Sequence, residues 1–289
     1  HLEIARLDQL QLFQHIVPHI VSFILSYSIL PATSNIRAVF AHTNQRFLKG
    51  SACMKRFFCL LALLLLLTQP LRASDAPKGY LALTFDDGPS GELTGELLDG
   101  LAARGVKATF FVCTYRIEQF PDTLARIAEE GHEIGLHSCC HDYMHKMEKD
   151  AITEDLTENL EAVAEVSGVR ARLFRPPGGL YSQALLEAAR ELELSVVLWS
   201  VDPCDWDENA WDSVLPTVVS DAHDGAVILM HDLSEHSVSC ALAAVDRLQA
   251  EGYAFCTVSQ LADVRGVTLR PGEVYTAFRP KVDADGNSG

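Results

Sequence analysis

Seven short apolar runs alternate with amphipathic stretches between residues 79 and 262, and this alternation restricts the folds open to the chain. The apolar runs are predicted as strands, which lie at residues 79–83, 108–112, 133–136, 172–174, 195–199, 226–230 and 253–257. The amphipathic stretches are predicted as helices, which lie at residues 93–104, 122–130, 153–167, 182–192, 210–220 and 240–251, with a helical turn at 259–262. Ser182 is the predicted N-cap of the fourth helix. Repeated β-α units with apolar strands predict a parallel sheet covered by helices.

Two parallel architectures fit this pattern, an open doubly wound sheet and a closed barrel. About 215 residues with seven units favour a small, incomplete (β/α)7 barrel. In barrels the functional groups lie at the carboxyl ends of the strands. We therefore expect chemistry where polar residues directly follow the predicted strands.

Residues 54–76 have the composition of a secretory signal peptide. They begin with the positive head Met54-Lys55-Arg56, continue with an almost wholly apolar stretch and end in polar and small residues. The apolar stretch is short for a membrane span, which needs about 20 residues. We interpret Met54 as the translation start, with cleavage near Ala73 or Ala76, and residues 1–53 as an upstream segment outside the mature protein.

The rest of the chain is predicted to form one domain over residues 77–265 and a C-terminal tail over residues 266–289. A second interpretation of the N-terminal region is that residues 16–30 and 57–67 are membrane helices. The first of these runs is short and interrupted by a proline and a histidine, which favours the signal-peptide interpretation.

Acidic charge is concentrated after the predicted signal peptide. Residues 1–73 hold seven of the 23 Lys and Arg residues and two of the 39 Asp and Glu residues. Residues 74–289 therefore hold 16 basic and 37 acidic residues, a formal net charge of −21. This balance argues against nucleic acid and anionic lipid as partners, and it is compatible with an uncharged sugar.

Cysteine usage leaves two interpretations open. Six of the eight cysteines lie in the predicted exported part, namely Cys113, Cys139, Cys140, Cys204, Cys240 and Cys256. An even number outside the cell allows three disulfides, whose pairing the sequence does not determine. Free buried thiols are the alternative, since cysteine is among the most buried residue types.

Five of the predicted strands are followed by polar residues that can carry chemistry. In chain order these are Asp86 and Asp87, His137 and His141, Arg175, Asp202 with Asp205 and Trp206, and His231 with Asp232. Parallel strands bring their carboxyl ends to one face of a barrel, so this set is expected to converge there.

The neighbouring carboxylates Asp86 and Asp87 indicate a metal site. Two carboxylates in a partly dry site repel each other, and a metal bound to one of them offsets the repulsion and leaves the other as a base. A turn without chemical function is the alternative interpretation, because Asp, Gly and Pro are all common turn residues.

His137 and His141 have the spacing of metal ligands. Histidines four residues apart can share a helix face and bind one ion. With Asp87 they form a His-His-carboxylate set that leaves one coordination position open, which is the pattern of a catalytic site. One divalent ion is predicted, with Zn²⁺ as the default and Co²⁺, Ni²⁺ or Mn²⁺ as alternatives.

The polar residues belong to five motifs that follow one another along the chain. These are Thr84-Phe85-Asp86-Asp87-Gly88-Pro89, His137-Ser138-x-x-His141, Arg175-Pro176-Pro177, Asp202-Pro203-Cys204-Asp205-Trp206 and Leu229-Met230-His231. The ordered set resembles that of the NodB-type polysaccharide deacetylases, carbohydrate esterase family 4, over residues 78–262. The resemblance implies a distorted (β/α) barrel and metal-dependent removal of acetyl groups, usually from N-acetylated sugars in peptidoglycan, chitin or related glycans.

The resemblance also implies the roles of the central residues. Asp87, His137 and His141 would hold the metal. Asp86 would be the general base that takes a proton from the metal-bound water. His231 would be the general acid that protonates the leaving amine.

Further motif residues would support these groups or contact the substrate. The resemblance implies that Arg175 holds the general base in place and that either Asp202 or Asp205 tunes the general acid. It implies that Trp206 and Leu229 wall the pocket for the acetyl methyl group.

The third motif departs from the family pattern, because Gly178 stands where tyrosine is common. The resemblance implies that the backbone N–H at this position holds the acetyl oxygen, which glycine still allows, and that Pro177 beside it also contacts the substrate. The missing ring is expected to widen the site, with Tyr181 as a partial replacement.

These observations predict a metal-dependent hydrolase that removes N-acetyl groups from N-acetylglucosamine-type residues of peptidoglycan or a chitin-like polysaccharide. Its partners are then acetylated polysaccharides or oligosaccharides, with no nucleic acid, and a membrane only if the signal segment is uncleaved. The protein is expected to be a monomer, secreted or at the cell surface. The alternatives are an O-acetyl esterase on glycans such as xylan and a non-catalytic glycan-binding protein.

Overall fold

The computed structural model of the chain describes residues 76–280. The predicted upstream segment at 1–53 and the predicted signal peptide up to residue 75 lie outside this range, as do residues 281–289 of the predicted tail. Within residues 76–280, no helix is both long and apolar enough to cross a membrane.

One parallel sheet organises the described part of the chain. Its strands are β1 (Gly79–Gly88), β2 (Thr109–Val112), β3 (Glu133–Leu136), β4 (Leu173–Phe174), β5 (Ser195–Val197), β6 (Val227–His231), β7 (Tyr253–Cys256) and β8 (Val274–Tyr275). The spatial order is β6-β1-β2-β3-β4-β5-β8, and β7 pairs with β1 beside β6. Every one of these strand pairs is parallel.

The sheet curls into an incomplete barrel around β1. The first half of β1 pairs with β7 and the second half with β6, so two strands share one edge. On the other side of the sheet, Val201 follows β5 and forms an isolated parallel bridge with Ile228 of β6. The α/β class and the distorted, incomplete (β/α)7 barrel are therefore confirmed, with one short additional strand.

Helices cover the outside of the sheet because most connections between strands contain an amphipathic segment. They are α1 (Glu92–Ala103), α2 (Thr114–Gln119), α3 (Pro121–Glu129), α4 (Lys149–Ser167), α5 (Gln183–Glu191), α6 (Trp211–Asp221), α7 (Glu235–Ala250) and α8 (Val258–Val264), with 3-10 turns at Met144–Lys146, Pro177–Gly179 and Glu208–Ala210. Ser182 caps α5 as predicted, since its side chain accepts a hydrogen bond from the Leu185 backbone N–H.

The alternation of side chains along β1 divides the apolar residues into two layers. Leu81, Leu83 and Phe85 pack into the large core between sheet and helices. Ala82 faces the opposite way and joins the smaller cluster that contains Phe111 and fills the barrel interior. The apolar character of β1 follows from this burial on both faces.

Strand β1 extends well beyond its predicted end, and two elements of the structure were not predicted. Strand β1 continues to Gly88, because Asp86 remains paired with Phe111 of β2 and His231 of β6. Helix α2 was not predicted, and neither was β8, which pairs with β5 through backbone hydrogen bonds that leave no periodic signature. The predicted tail at residues 266–289 thus contributes a strand within its described part.

The six cysteines of the described region are thiols in the structure, and none is bonded to another. Cys113, Cys139 and Cys256 are buried, whereas Cys140 is exposed. Of the two sequence interpretations, the structure therefore corresponds to free thiols.

Candidate active site

A backbone irregularity at the end of β1 places two consecutive carboxylates on the same side of the sheet. In a regular strand, successive side chains point to opposite faces. The β1–β2 register shifts between Asp86 and Gly88, and Asp87 has a left-handed φ of 68°. A bulge of this kind re-aims a side chain. The side chain of Asp87 therefore joins that of Asp86 at the carboxyl end of the barrel.

Asp87, His137 and His141 form a cluster that could hold a metal ion, with their three ligand atoms within 4.8 Å of one another. Asp87 Oδ1 lies 3.1 Å from His137 Nε2 and 3.4 Å from His141 Nε2. The expectation that the two histidines share a helix face was wrong. They lie in a loop after β3, where positive φ angles at Ser138 and His141 turn the chain back toward β1.

The protonation of His137 and the environment of Asp87 are both suited to binding a metal cation. His137 Nδ1 lies 2.7 Å from the carbonyl oxygen of Arg175. A carbonyl only accepts, so Nδ1 carries the proton and Nε2 presents its lone pair to the cluster. Asp87 Oδ1 is buried and has no well-directed hydrogen bond from the described residues, even though two imidazoles lie near it. An unsatisfied buried carboxylate oxygen beside two imidazole nitrogens is a donor set suited to Zn²⁺.

Asp86 is held by a fully buried arginine that reaches across the barrel interior. Arg175 follows β4, and its Nη1 donates to Asp86 Oδ1 at 2.7 Å and to Thr84 Oγ1 at 2.8 Å. Its other nitrogens donate to backbone carbonyls of Val197 and Leu198. The guanidinium carbon also lies 4.1 Å from the centre of the Phe111 ring. The charge of Asp86 is thus balanced, and its carboxylate is fixed in one orientation.

His231 ends β6 and is oriented by Asp205. The two oxygens of Asp205 accept hydrogen bonds from the His231 backbone N–H and from Nδ1, both at 2.8 Å. This leaves Nε2 facing the cluster, 3.9 Å from Asp87 Oδ2. Asp202, the other candidate partner, instead accepts a hydrogen bond from the indole N–H of Trp199. The structure therefore brings Asp205, and not Asp202, to the candidate general acid.

The site perturbs the proton affinities of its members in opposite directions. Burial raises the pKa of Asp87, but the neighbouring imidazoles, above all the hydrogen-bonding contact with His137 and then the nearby His231 and His141, outweigh burial and lower that pKa to about 2. Burial lowers the pKa of His231, but Asp205 outweighs burial and, with Asp86 and Asp87, raises that pKa to about 9. Asp87 is thus a carboxylate at neutral pH, and His231 carries two protons.

The predicted substrate-contact residues lie on loops and strands around this cluster. Pro177 is buried and begins the turn Pro177–Gly179, in which Gly178 has φ 64°. Leu229 lies within β6 and is only 3% exposed, whereas Trp206 directly follows Asp205 and is 63% exposed. The structure thus offers a closed apolar wall on the strand side and an open aromatic surface on the loop side.

Sequence reasoning missed residues that support the site from behind. Asn159 of α4 is fully buried, accepts a hydrogen bond from the His137 backbone N–H and donates to Thr114 Oγ1. The sequence did contain an indication of this role, because Asn159 is a polar residue on the apolar face of a predicted helix. Tyr143, beside His141, was also missed, and no motif marks it.

Comparisons with known proteins agree with this arrangement. The family model for polysaccharide deacetylase matches residues 73–197. The peptidoglycan-N-acetylmuramic acid deacetylase PdaC of Bacillus subtilis is 35% identical over 191 residues, which cover 66% of this chain and 40% of PdaC. A peptidoglycan-N-acetylglucosamine deacetylase of Bacillus cereus is 34% identical over 207 residues, which cover 66% of this chain and 97% of that protein.

Solved structures share the same fold. A family 4 acetyl xylan esterase from Clostridium thermocellum, in complex with a cobalt ion, superposes with a TM-score of 0.64 at 30% sequence identity. The match covers 68% of this chain and 98% of the esterase. The chain spans less than half the length of PdaC and nearly the full length of the Bacillus cereus relative. The chain belongs to the polysaccharide deacetylase family.

Proposed function

We propose that the chain is a metal-dependent hydrolase that removes N-acetyl groups from N-acetylglucosamine-type residues of a polysaccharide, such as peptidoglycan or a chitin-like polymer. The observation that carries this proposal is the convergence of three units at one barrel end: a His-His-carboxylate cluster, an arginine-held carboxylate and an aspartate-held histidine. Amide hydrolysis needs a nucleophile, a base and an acid, and the three units correspond to these needs. The names of the Bacillus relatives, both peptidoglycan deacetylases, support the choice of substrate.

Asp87, His137 and His141 would hold one divalent ion, for which Zn²⁺ is the first choice and Co²⁺, Ni²⁺ or Mn²⁺ are alternatives. Such an ion lowers the pKa of a coordinated water toward about 7 and so supplies a nucleophile at neutral pH. Support comes from the unsatisfied Oδ1 of Asp87 and from the cobalt ion bound by the structurally similar esterase.

Asp86 would accept the proton of the attacking water. Its Oδ2 lies 3.6 Å from His137 Nε2, so it is adjacent to the metal-ligand cluster without belonging to it. Its other oxygen is bound to Arg175, which keeps the free oxygen directed toward the site. Arg175 therefore acts as a positioning residue.

His231 would donate the proton that the amine leaving group needs. Asp205 accepts the Nδ1 proton, and the raised pKa keeps a second proton on Nε2 at neutral pH. The Gly178 backbone N–H would stabilise the developing negative charge on the acetyl oxygen. Pro177, Trp206 and Leu229 would complete the walls around the acetyl group.

A second candidate, hydrolysis of O-acetyl groups on glycans such as xylan, is favoured by the similarity to the acetyl xylan esterase. The same residues could perform it, because an ester is attacked in the same way and has a better leaving group. Rates on matched N-acetylated and O-acetylated oligosaccharides would decide between the two. Secretion or cell-surface location also belongs to this proposal, since peptidoglycan lies outside the cell membrane. A monomeric state is part of the proposal too.

Paired substitutions separate the base from the metal ligands. Asp86→Asn is expected to keep stoichiometric zinc while acetate release falls by at least about 100-fold, the usual contribution of a general base. His141→Ala is expected to lose zinc, measured by metal analysis after dialysis. His223→Ala, which alters a histidine outside the site, is the control and should retain both zinc and activity. Loss of zinc in Asp86→Asn would refute its assignment as the base.

A further inference from the structure

The loop after the metal-ligand candidates places an aromatic ring at the rim of the site. Tyr143 follows His141 by two residues and is 57% exposed. The two rings are edge-on, with centroids 6.0 Å apart and an angle of 69° between their planes. Tyr143 therefore borders the candidate metal site while more than half of its surface faces solvent.

Gly178 lies directly against the Tyr143 ring. A Cβ atom at position 178 would lie 2.7 Å from Tyr143 Cε1, a distance that real Cβ atoms essentially never show. The three atoms nearest to that position all belong to Tyr143, and none belongs to Tyr181. Gly178 also has φ 64°, a conformation that favours glycine. The Tyr143 ring thus occupies space that is open only because residue 178 has no side chain.

Both sides of this contact are anchored. Met144, the residue after Tyr143, is fully buried in the main core and begins the turn Met144–Lys146. Pro177, the residue before Gly178, is also buried. A ring held between two anchored segments is pre-organised, so little conformational freedom is lost when a ligand packs on it.

We propose that Tyr143 is a substrate-binding residue, which packs its ring against a pyranose ring of the glycan on the Gly178 side of the site. This inference rests on the proposed function. Tyrosine suits the task because it offers a large apolar surface and a polar hydroxyl with few rotatable bonds. Under this proposal, the loop after β3 supplies the ring that the family pattern commonly places at position 178, and Tyr143 takes the part that the sequence analysis gave to Tyr181.

Kinetics of three variants of the zinc-loaded chain test this role, with a chitin oligosaccharide as substrate. Tyr143→Ala is expected to raise KM about tenfold, equivalent to about 1.4 kcal/mol, with kcat changed by less than about twofold. Tyr143→Phe keeps the ring and should restore most of the loss. Tyr181→Ala removes a similarly exposed aromatic ring and is expected to leave KM within about twofold of the unaltered protein.

Zinc affinity separates substrate binding from an effect through His141. Tyr143→Ala is expected to bind zinc as tightly as the unaltered chain. A fall in zinc affinity, a fall in kcat at constant KM, or an unchanged KM would each overturn the inference. So would a larger increase in KM for Tyr181→Ala than for Tyr143→Ala.

A direct titration with the same oligosaccharide distinguishes failure of this inference from failure of the proposed function. If the unaltered chain releases no acetate, the proposed activity fails, but weaker oligosaccharide binding by Tyr143→Ala would still support the contact. Gly178→Ala should weaken binding by displacing the ring, and it should have little further effect when combined with Tyr143→Ala. Full additivity of these two substitutions, or no oligosaccharide binding by the unaltered chain, would overturn the contact.

Discussion

Asp232 carries a carboxyl group with no exposed surface directly behind the candidate site. Its Oδ2 accepts a hydrogen bond from the Thr94 hydroxyl, which itself accepts one from the Ser90 backbone N–H at 2.7 Å. Its Oδ1 has no hydrogen-bond partner among the described residues and lies close to Gly88. Burial outweighs the Thr94 hydrogen bond and raises the pKa of Asp232 to about 6.

This raised pKa makes folding stability depend on pH in a defined direction. The folded carboxyl binds its proton more tightly than the unfolded one, whose pKa is 3.8, so ionisation favours unfolding. The penalty is absent below pH 3.8, grows up to about pH 6 and is constant above it. Its size at pH 7.5 is about 3 kcal/mol, from the difference between the two pKa values.

Asp232→Asn removes the charge and keeps the shape, so it should stabilise the protein at neutral pH and have little effect near pH 4. For a domain of this size, about 3 kcal/mol corresponds to an increase in Tm of roughly 6–12 °C at pH 7.5. Thermal melts followed by circular dichroism, in a chelator and at several pH values, measure this difference. Asp263→Asn on the exposed side of α8 is the control and should leave Tm nearly unchanged. An equal difference at pH 4 and pH 7.5, or a lower Tm for Asp232→Asn at pH 7.5, would refute the reasoning.

Two further predictions concern the charged pairs of the site. Arg175→Met leaves the buried carboxylate of Asp86 unpaired and should reduce the free energy of unfolding by about 3–5 kcal/mol in urea titrations. Arg104→Met is the control, because it breaks an exposed pair with Asp246 and should reduce the free energy of unfolding by less than about 1 kcal/mol. Asp205→Asn removes the charge beside His231 and should lower its pKa from about 9, which moves the alkaline limb of the kcat/KM profile to lower pH. Asp202→Asn should leave the alkaline limb in place. An equal loss of stability in both arginine variants would contradict the role of Arg175 as the partner of Asp86. An equal shift of the limb in both aspartate variants would contradict the pairing of Asp205 with His231.

The order of strands and helices could be predicted because most elements carry a periodic apolar pattern. The third strand was predicted with its observed bounds, Glu133–Leu136, and the cap at Ser182 was recognised from residue type alone. Strand β8 could not be predicted, because two residues are too few to show a period and their pairing with β5 depends on the folded sheet. Helix α7 was predicted to begin at residue 240 but begins at Glu235, since Ser234 supplies the cap.

The chemistry of the site was predictable to the extent that motifs mark it. The sequence could not decide between Asp202 and Asp205, because both follow the same strand and only the folded loop brings one of them to His231. The bulge at Asp87 could not be predicted either. Asp, Gly and Pro indicate a turn, but they do not specify that Asp87 adopts a left-handed backbone conformation. Tyr143 carries no signal because its importance depends on a contact with a glycine in another loop.

Acetate release tests the central claim most directly. The purified chain would be incubated with N-acetylated chitin oligosaccharides and with peptidoglycan, in buffer, in buffer with a chelator, and in buffer with the chelator removed and zinc restored. We expect release that the chelator abolishes and zinc restores, with a preference for one of the two polymers. Folded, zinc-loaded protein that releases no acetate from either substrate, or release that the chelator does not affect, would contradict a metal-dependent N-deacetylase.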